Sequence, residues 1–211
     1  WVGMAKETAH QLGTPISSLS AWLDYMREMP EDAVKDEQFI HELEKDVNRL
    51  ELIAERFSKI GSKADLEVKH VRPSIERAVQ YMEKRSSEKV KFTLEFEEEE
   101  TKFAINEALF NWVIENLIKN AIDAMEGVGS IKVRVFKSSK NVIIDIIDSG
   151  KGVPKGKYET VFQPGFSTKK RGWGLGLSLV KRIIENYHKG KIYIKESNEN
   201  GTCFRIKLPL V

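Results

Sequence analysis

Along the first part of the chain, apolar positions recur in alternating steps of four and three. Ala5, Ala9, Leu12, Ile16, Leu19, Leu23 and Met26 form one series, and Ile40, Leu43, Val47, Leu50, Ala54 and Phe57 form a second. Such steps set the residues on one stripe of a helix, with the spacing of a coiled-coil seam. Pro30, Glu31 and Asp32 interrupt the first series and Gly61 ends the second, because proline cannot continue the helical ladder and glycine readily closes it. The pattern predicts two helices folded as an antiparallel hairpin over residues 1–62. Two amphipathic helices cannot cover all of their own apolar surface, so a homodimer completing a four-helix bundle is expected. The alternative is that the hairpin packs on the rest of its own chain.

From about Lys63 the periodicity changes. Phe92, Leu94 and Phe96 mark one face of a strand, and the glutamates at 97–100 solvate its end. Asn106 to Met125 reads as a long amphipathic helix that Gly127 and Gly129 stop. Ile131 to Val135 alternates like a half-buried strand, whereas Val142 to Ile147 is almost wholly apolar, like a central one. A last helix over Leu177 to Tyr187 precedes strands at Lys191 to Glu196 and Thr202 to Leu208. The expected fold is therefore α+β: the helical hairpin, then an α/β sandwich over 63–211 with one mixed sheet covered by helices.

Thirty-four Lys plus Arg against thirty-two Asp plus Glu gives a net charge of +2, too near balance for a nucleic-acid backbone to be the main partner. The single cysteine, Cys203, excludes an internal disulfide framework, and a reducing, cytoplasmic setting is expected. No apolar run reaches the roughly 20 residues needed to cross a bilayer. Because Trp1 stands inside an already running helical pattern, the chain is expected to be the cytoplasmic portion of a longer protein. Any anchor in the inner or plasma membrane would lie outside these residues.

Three segments carry candidate chemistry. Asn116 and Asn120 stand one helical turn apart, so their amide oxygens share a face and suit a hard cation such as Mg²⁺ beside phosphates. Asp148 ends a buried strand, where a carboxylate can accept from an exocyclic amine, and Gly150 and Gly152 let backbone approach a flat ligand. Gly172, Gly174 and Gly176 directly precede a helix, whose first N–H groups face outward for phosphates. Singly, each has an ordinary reading: a solvated amide pair, a turn after a strand, an unspecific glycine run.

Taken in order, these segments resemble the N, G1 and G2 boxes of the GHKL ATP-binding fold. The stretch from Val161 to Lys169 between the last two resembles the F box of histidine kinases. Neither the Rossmann nor the Walker glycine pattern fits. The resemblance implies ATP and Mg²⁺ as cofactors, with Asn120 and Asn116 toward the metal and Asp148 reading the adenine amine. It also implies nucleotide contacts from Asp123, Gly150, Gly152, Phe162, Ser167, Thr168, Lys169, Gly172, Gly174, Leu175 and Gly176, and a mobile lid from Lys155 to Gly172.

Ala9 to Pro15 similarly resembles the histidine-kinase H box. His10 is then the phosphoacceptor, its imidazole largely neutral with a reference pKa of about 6.5. Pro15 bends the helix just after His10, and Thr14, on the same face, is placed to orient water for a phosphatase reaction. His41, His70 and His188 lack such surroundings and are read as structural. The implied function is that of a sensor histidine kinase: Mg-ATP-dependent autophosphorylation of His10, then relay to an aspartate of a response-regulator receiver domain.

Two positions depart from the family pattern. Gln11 stands where many members have an acidic residue that accepts the ring proton; an amide cannot do so, and Glu7, three residues before His10 on the same face, is the candidate substitute. Asp123 stands where many relatives present a basic residue, leaving Lys119, Lys169, Lys170 or Arg171 to compensate phosphate charge. Two rivals follow. A GHKL conformational ATPase would want a water-activating glutamate where Asn116 stands; Glu115 is rotated by about 100° from it. A non-catalytic nucleotide-binding scaffold draws support from Gln11 and from Gly165 in the F-box stretch.

Overall fold

The computed structural model describes residues 16–28, 40, 41, 43, 44, 46, 47, 50, 65–97, 101–167, 174 and 176–211. The chain divides into two compact units, Trp1–Lys63 and Ala64–Val211. In the first, residues 16–28 are helical, and every described position from 40 to 50 is helical too. The seam positions Ile16 and Leu23 are about half exposed, at 50% and 52%, with Ile40 and Val47 both at 44%. Each predicted stripe thus keeps apolar surface open in a single copy. The expected turn between the helices lies outside the described residues.

The second unit runs β1 (Glu67–His70), α1 (Val71–Glu83), β2 (Val90–Phe96), β3 (Lys102–Ile105), α2 (Glu107–Ala124), β4 (Gly129–Ser138), β5 (Asn141–Asp148), α3 (Gly176–Arg182), β6 (Lys191–Asn198) and β7 (Gly201–Pro209). A five-stranded mixed sheet has the order β2-β4-β5-β7-β6, with only the β2–β4 pairing parallel. The expectation of one sheet is corrected by a second, two-stranded antiparallel sheet of β1 and β3. Its strands are four residues each: no residue of β1 is buried, and β3 alternates only through Phe103 and Ile105, too short a run to reveal a strand by its period.

The long helix α2 has the caps that the sequence suggests. The Asn106 side chain accepts from Leu109 N–H (3.1 Å) at its start, and Met125 caps its end. Its buried residues Phe110, Val113, Ile114, Leu117, Ile118 and Ala121 fall at helical spacing. They cover one face of the sheet, made from Ile131, Val133 and Val135 of β4 and Ile144 and Ile146 of β5. On the opposite face of β5, Ile143 and Asp145 are also buried. Arg205 of β7 explains this: its guanidinium grips Asp145 with two bonds of 2.7 and 2.6 Å and lies over the Phe136 ring.

The last helix, expected as one piece, continues from α3 as a π-helical stretch, Ile183–Tyr187. Just beyond, the buried His188 receives Asn106 N–H at Nε2 (3.1 Å), so its proton sits on Nδ1, 3.0 Å from Ile183 O. Burial pushes its pKa down, against the pull of those two backbone partners. A neutral ring therefore ties the start of α2 to the end of the π-helical stretch.

Candidate functional site

Asp148, the last residue of β5, is only 5% exposed. Its Oδ1 accepts from Gly150 N–H (2.8 Å) and Thr202 N–H (3.3 Å). Burial raises the carboxyl pKa, and those two amides offset part of that rise. Both bonds fall on Oδ1, which leaves Oδ2 without a hydrogen-bond partner among the described residues. That oxygen is not sealed from solvent, so a water or a donor on a ligand can reach it.

The loop after Asp148 is wedged between two elements. At Gly150 a Cβ would fall 2.8 Å from the carbonyl carbon of Ala124 and from its Cβ, and Lys151 N–H donates to Ala124 O (3.2 Å). At Gly152, where φ is +73°, a Cβ would fall 1.9 Å from Asn198 O. Glycine is needed at both positions, because no side chain fits between this loop and either neighbour. The loop's seats are thus the C-terminal end of α2 and the turn between β6 and β7.

Further back on α2, Asn116 bonds its own helix through Nδ2 to Trp112 O (3.3 Å). Its Oδ1 then lies 2.9 Å from where a Cβ on Gly176 would stand, at the start of α3. Asn120 is half-buried one turn on, and Asp123 is exposed near the end of the helix. The eight residue steps from Asn116 to Ala124 span about 12 Å of helix axis. Gly176 touches one end of that span and Gly150 the other, so α2 brings the three candidate segments together. Among the described residues, no three His, Cys, Asp or Glu side chains cluster as a metal cage. Mg²⁺ characteristically takes one or two protein oxygens and completes its shell with phosphates and waters, a demand that amide oxygens on α2 fit.

The stretch expected to be a mobile lid is anchored in its first part. Lys155–Lys157 and Thr160–Phe162 form short 3-10 turns. Tyr158 Oη donates to Ser197 O (3.0 Å), and Gly165 N–H donates to Gly174 O (3.1 Å). Phe162 is buried edge-on against Phe204, with ring centroids 6.2 Å apart. Its place is in the core, where it pins the segment. Ser167 is exposed and Gly174 half-buried. Thr168, Lys169, Lys170, Arg171, Gly172 and Leu175 lie outside the described residues, as do Glu7, His10, Gln11, Thr14 and Pro15.

The sequence reading missed Thr202, Ser197 and Tyr158. Thr202 is the register partner of Asp148 across β5 and β7, a neighbour that lies 54 residues away along the chain. Its only sequence signal is the Gly201-Thr202 pair opening the final strand. Among the described residues, no helix is long and apolar enough to cross a membrane.

A family model described as histidine kinase-, DNA gyrase B-, and HSP90-like ATPase matches residues 105–211. The chain is 29% identical over 218 residues to the sensor histidine kinase ZraS of Salmonella typhimurium, a match that covers 99% of the chain and 45% of that protein. It is 25% identical to sporulation kinase A of Bacillus subtilis, covering 98% of the chain and 34% of the relative. The chain thus spans less than half the length of these curated relatives. Among solved structures, the catalytic domain of histidine kinase ThkA superposes with a TM-score of 0.62 at 31% identity, over 69% of this chain and 95% of that one. ThkA solved in complex with the response regulator protein TrrA matches 99% of this chain and 61% of its own, with a TM-score of 0.65 at 25% identity.

Proposed function

The chain belongs to the histidine kinase-, DNA gyrase B- and HSP90-like ATPase family, and we propose that it is the catalytic core of a sensor histidine kinase. The observation that supports this best is the convergence on α2: Asn116 against Gly176 and Ala124 against Gly150, with Asp148 holding one acceptor oxygen open. In this reading Asp148 Oδ2 accepts from the adenine amine, and Gly150 and Gly152 admit the base against backbone. The glycine stretch 172–176 faces the phosphates, and Asn120, with Asn116, helps to hold Mg²⁺. The metal, when bound, neutralises charge on the transferring phosphates. Phe162 acts from the core as the anchor of the segment that covers the nucleotide.

The acceptor is His10. A lone pair on its neutral ring attacks the γ-phosphorus, the bond to the bridging oxygen of ADP breaks, and the proton from the other ring nitrogen passes to Glu7. Gln11 orients the ring. Phosphohistidine then hands its phosphoryl group to an aspartate carboxylate on a response-regulator receiver domain; the ThkA–TrrA complex of a relative supports a partner of that class. Thr14 orients water for the reverse, phosphatase reaction. The half-exposed seam residues Ile16, Leu23, Ile40 and Val47 support a homodimer in which a second hairpin completes a four-helix bundle. Residues 1–62 thus serve dimerisation and phosphotransfer, and 63–211 serve ATP binding, in the cytoplasmic part of a longer protein.

The test is to incubate the chain with Mg²⁺ and ATP labelled on either the γ or the α phosphate. Acid-labile, base-stable label from the γ position only supports the kinase. Release of free phosphate with no labelled protein would mean a conformational ATPase, and bound but unreacted ATP would mean a scaffold.

A further inference from the structure

Ser197, near the end of β6, engages three partners through one hydroxyl. Its Oγ accepts from Val153 N–H (2.7 Å), donates to Gly201 O (3.1 Å) and lies 2.9 Å from Thr202 Oγ1. A hydroxyl has one proton and two acceptor lone pairs. With the Ser197 proton on Gly201 O, the bond between the two hydroxyls must use the Thr202 proton. Thr202 Oγ1 is then left as an acceptor only.

Thr202 pairs with Asp148 in register and donates its own N–H to Asp148 Oδ1. Residues paired in this way on adjacent antiparallel strands set their Cβ atoms on one face, about 4.5–5.5 Å apart. Two acceptors, Thr202 Oγ1 and the solvent-reached Asp148 Oδ2, therefore stand as neighbours. An exocyclic amine, which offers two N–H groups, matches such a pair; a carbonyl offers none. The same serine seats the loop: its hydroxyl holds Val153 N–H, and its backbone oxygen accepts from Tyr158 Oη (3.0 Å).

We propose that Ser197 is a positioning residue for nucleobase selection: it fixes the direction of the Thr202 proton and seats the Gly150–Val153 loop, so that the site prefers a 6-amino purine to a 6-keto purine. This rests on reading Asp148 as the base contact. Removing the Ser197 hydroxyl releases the Thr202 proton, which can then turn outward and serve a keto oxygen, and it strands Val153 N–H.

The experiment titrates the whole chain with Mg-ATP and with Mg-GTP and reads the ratio of the two dissociation constants. Damage to the fold or to the phosphate contacts weakens both nucleotides alike and leaves that ratio unmoved. Ser197→Ala should lower the preference for ATP about tenfold, the effect of one hydrogen bond, and Ser197→Thr should restore it. An unchanged ratio in Ser197→Ala, or an equal loss in Ser197→Thr, would overturn the proposal. Should Ser197→Ala not fold, Thr202→Val carries the same expectation, and an unchanged ratio there counts against the proposal equally. Asp148→Asn separates the two layers: if it leaves the ratio intact, the reading of Asp148 has failed. If it abolishes the ratio while Ser197→Ala does not, only the role of Ser197 has.

Discussion

Asp148→Asn removes a charge while keeping nearly the same shape, which makes it a sharp probe of the site. An Asn oxygen in place of Oδ1 still accepts from Gly150 N–H and Thr202 N–H, at 2.8 and 3.3 Å in the native chain. What changes is the other atom, where an acceptor becomes an NH₂ donor facing the donor of the base. A hydrogen bond to a charged group contributes about 1.5–3 kcal/mol, so ATP affinity should fall about 10- to 150-fold in isothermal titration. Stability should move the other way. Because burial raises the folded-state pKa of Asp148 above its ordinary 3.8, the unfolded chain loses this proton first as pH rises. Stability from this group is therefore lost as pH climbs from 3.8 through the folded value. The variant escapes that loss. At neutral pH it should melt at the same temperature as the native chain or higher, with the difference closing as pH falls toward 3.8. Unchanged ATP affinity would refute the assigned contact. Affinity lost together with a lower melting temperature would refute the claim that the charge serves binding at the expense of the fold.

Arg205→Ala should cost about 3–5 kcal/mol in chemical denaturation, because it strands a carboxylate at Asp145 that is 2% exposed. Converting the pair to apolar residues, Asp145→Leu with Arg205→Met, should recover most of that loss. His188 gives the opposite pH signature to Asp148: its folded pKa lies below its ordinary 6.5, so the unfolded chain binds the proton first as pH falls. Stability should drop below about pH 6.5, and His188→Gln, which keeps an acceptor for Asn106 N–H and does not titrate, should flatten that slope in pH-dependent melting.

Local signals made most of the second unit legible in the sequence. The caps of α2 were visible because Asn106 and the Gly127 turn are local features, and β5 was recognised as central because it is apolar on both faces. The reason for that second apolar face was not visible: Asp145 is buried by Arg205, 60 residues on, and a lone aspartate within an apolar run gives no sign of its cover. The β1–β3 sheet was missed for a similar reason, since its strands are short and its pairing is long-range. In the site, the glycines and Asp148 were legible because close backbone approach restricts which residues fit. Ser197 and Thr202 were not, because their roles exist only once β5, β6 and β7 lie side by side. Phe162 was assigned to the nucleotide by the resemblance of its segment to the F box, and its packing edge-on against Phe204, 42 residues on, had no local signal.

The decisive measurement is the identity of the phosphoryl acceptor. After reaction of the chain with Mg-ATP, the phosphorylated peptide is isolated under neutral conditions and sequenced, in parallel with His10→Ala. Phosphohistidine at His10 alone is expected, with no phosphopeptide from the variant although it binds ATP with native affinity. Phosphate on any other residue, or its persistence in His10→Ala, would contradict transfer from the α2 site to the helical hairpin.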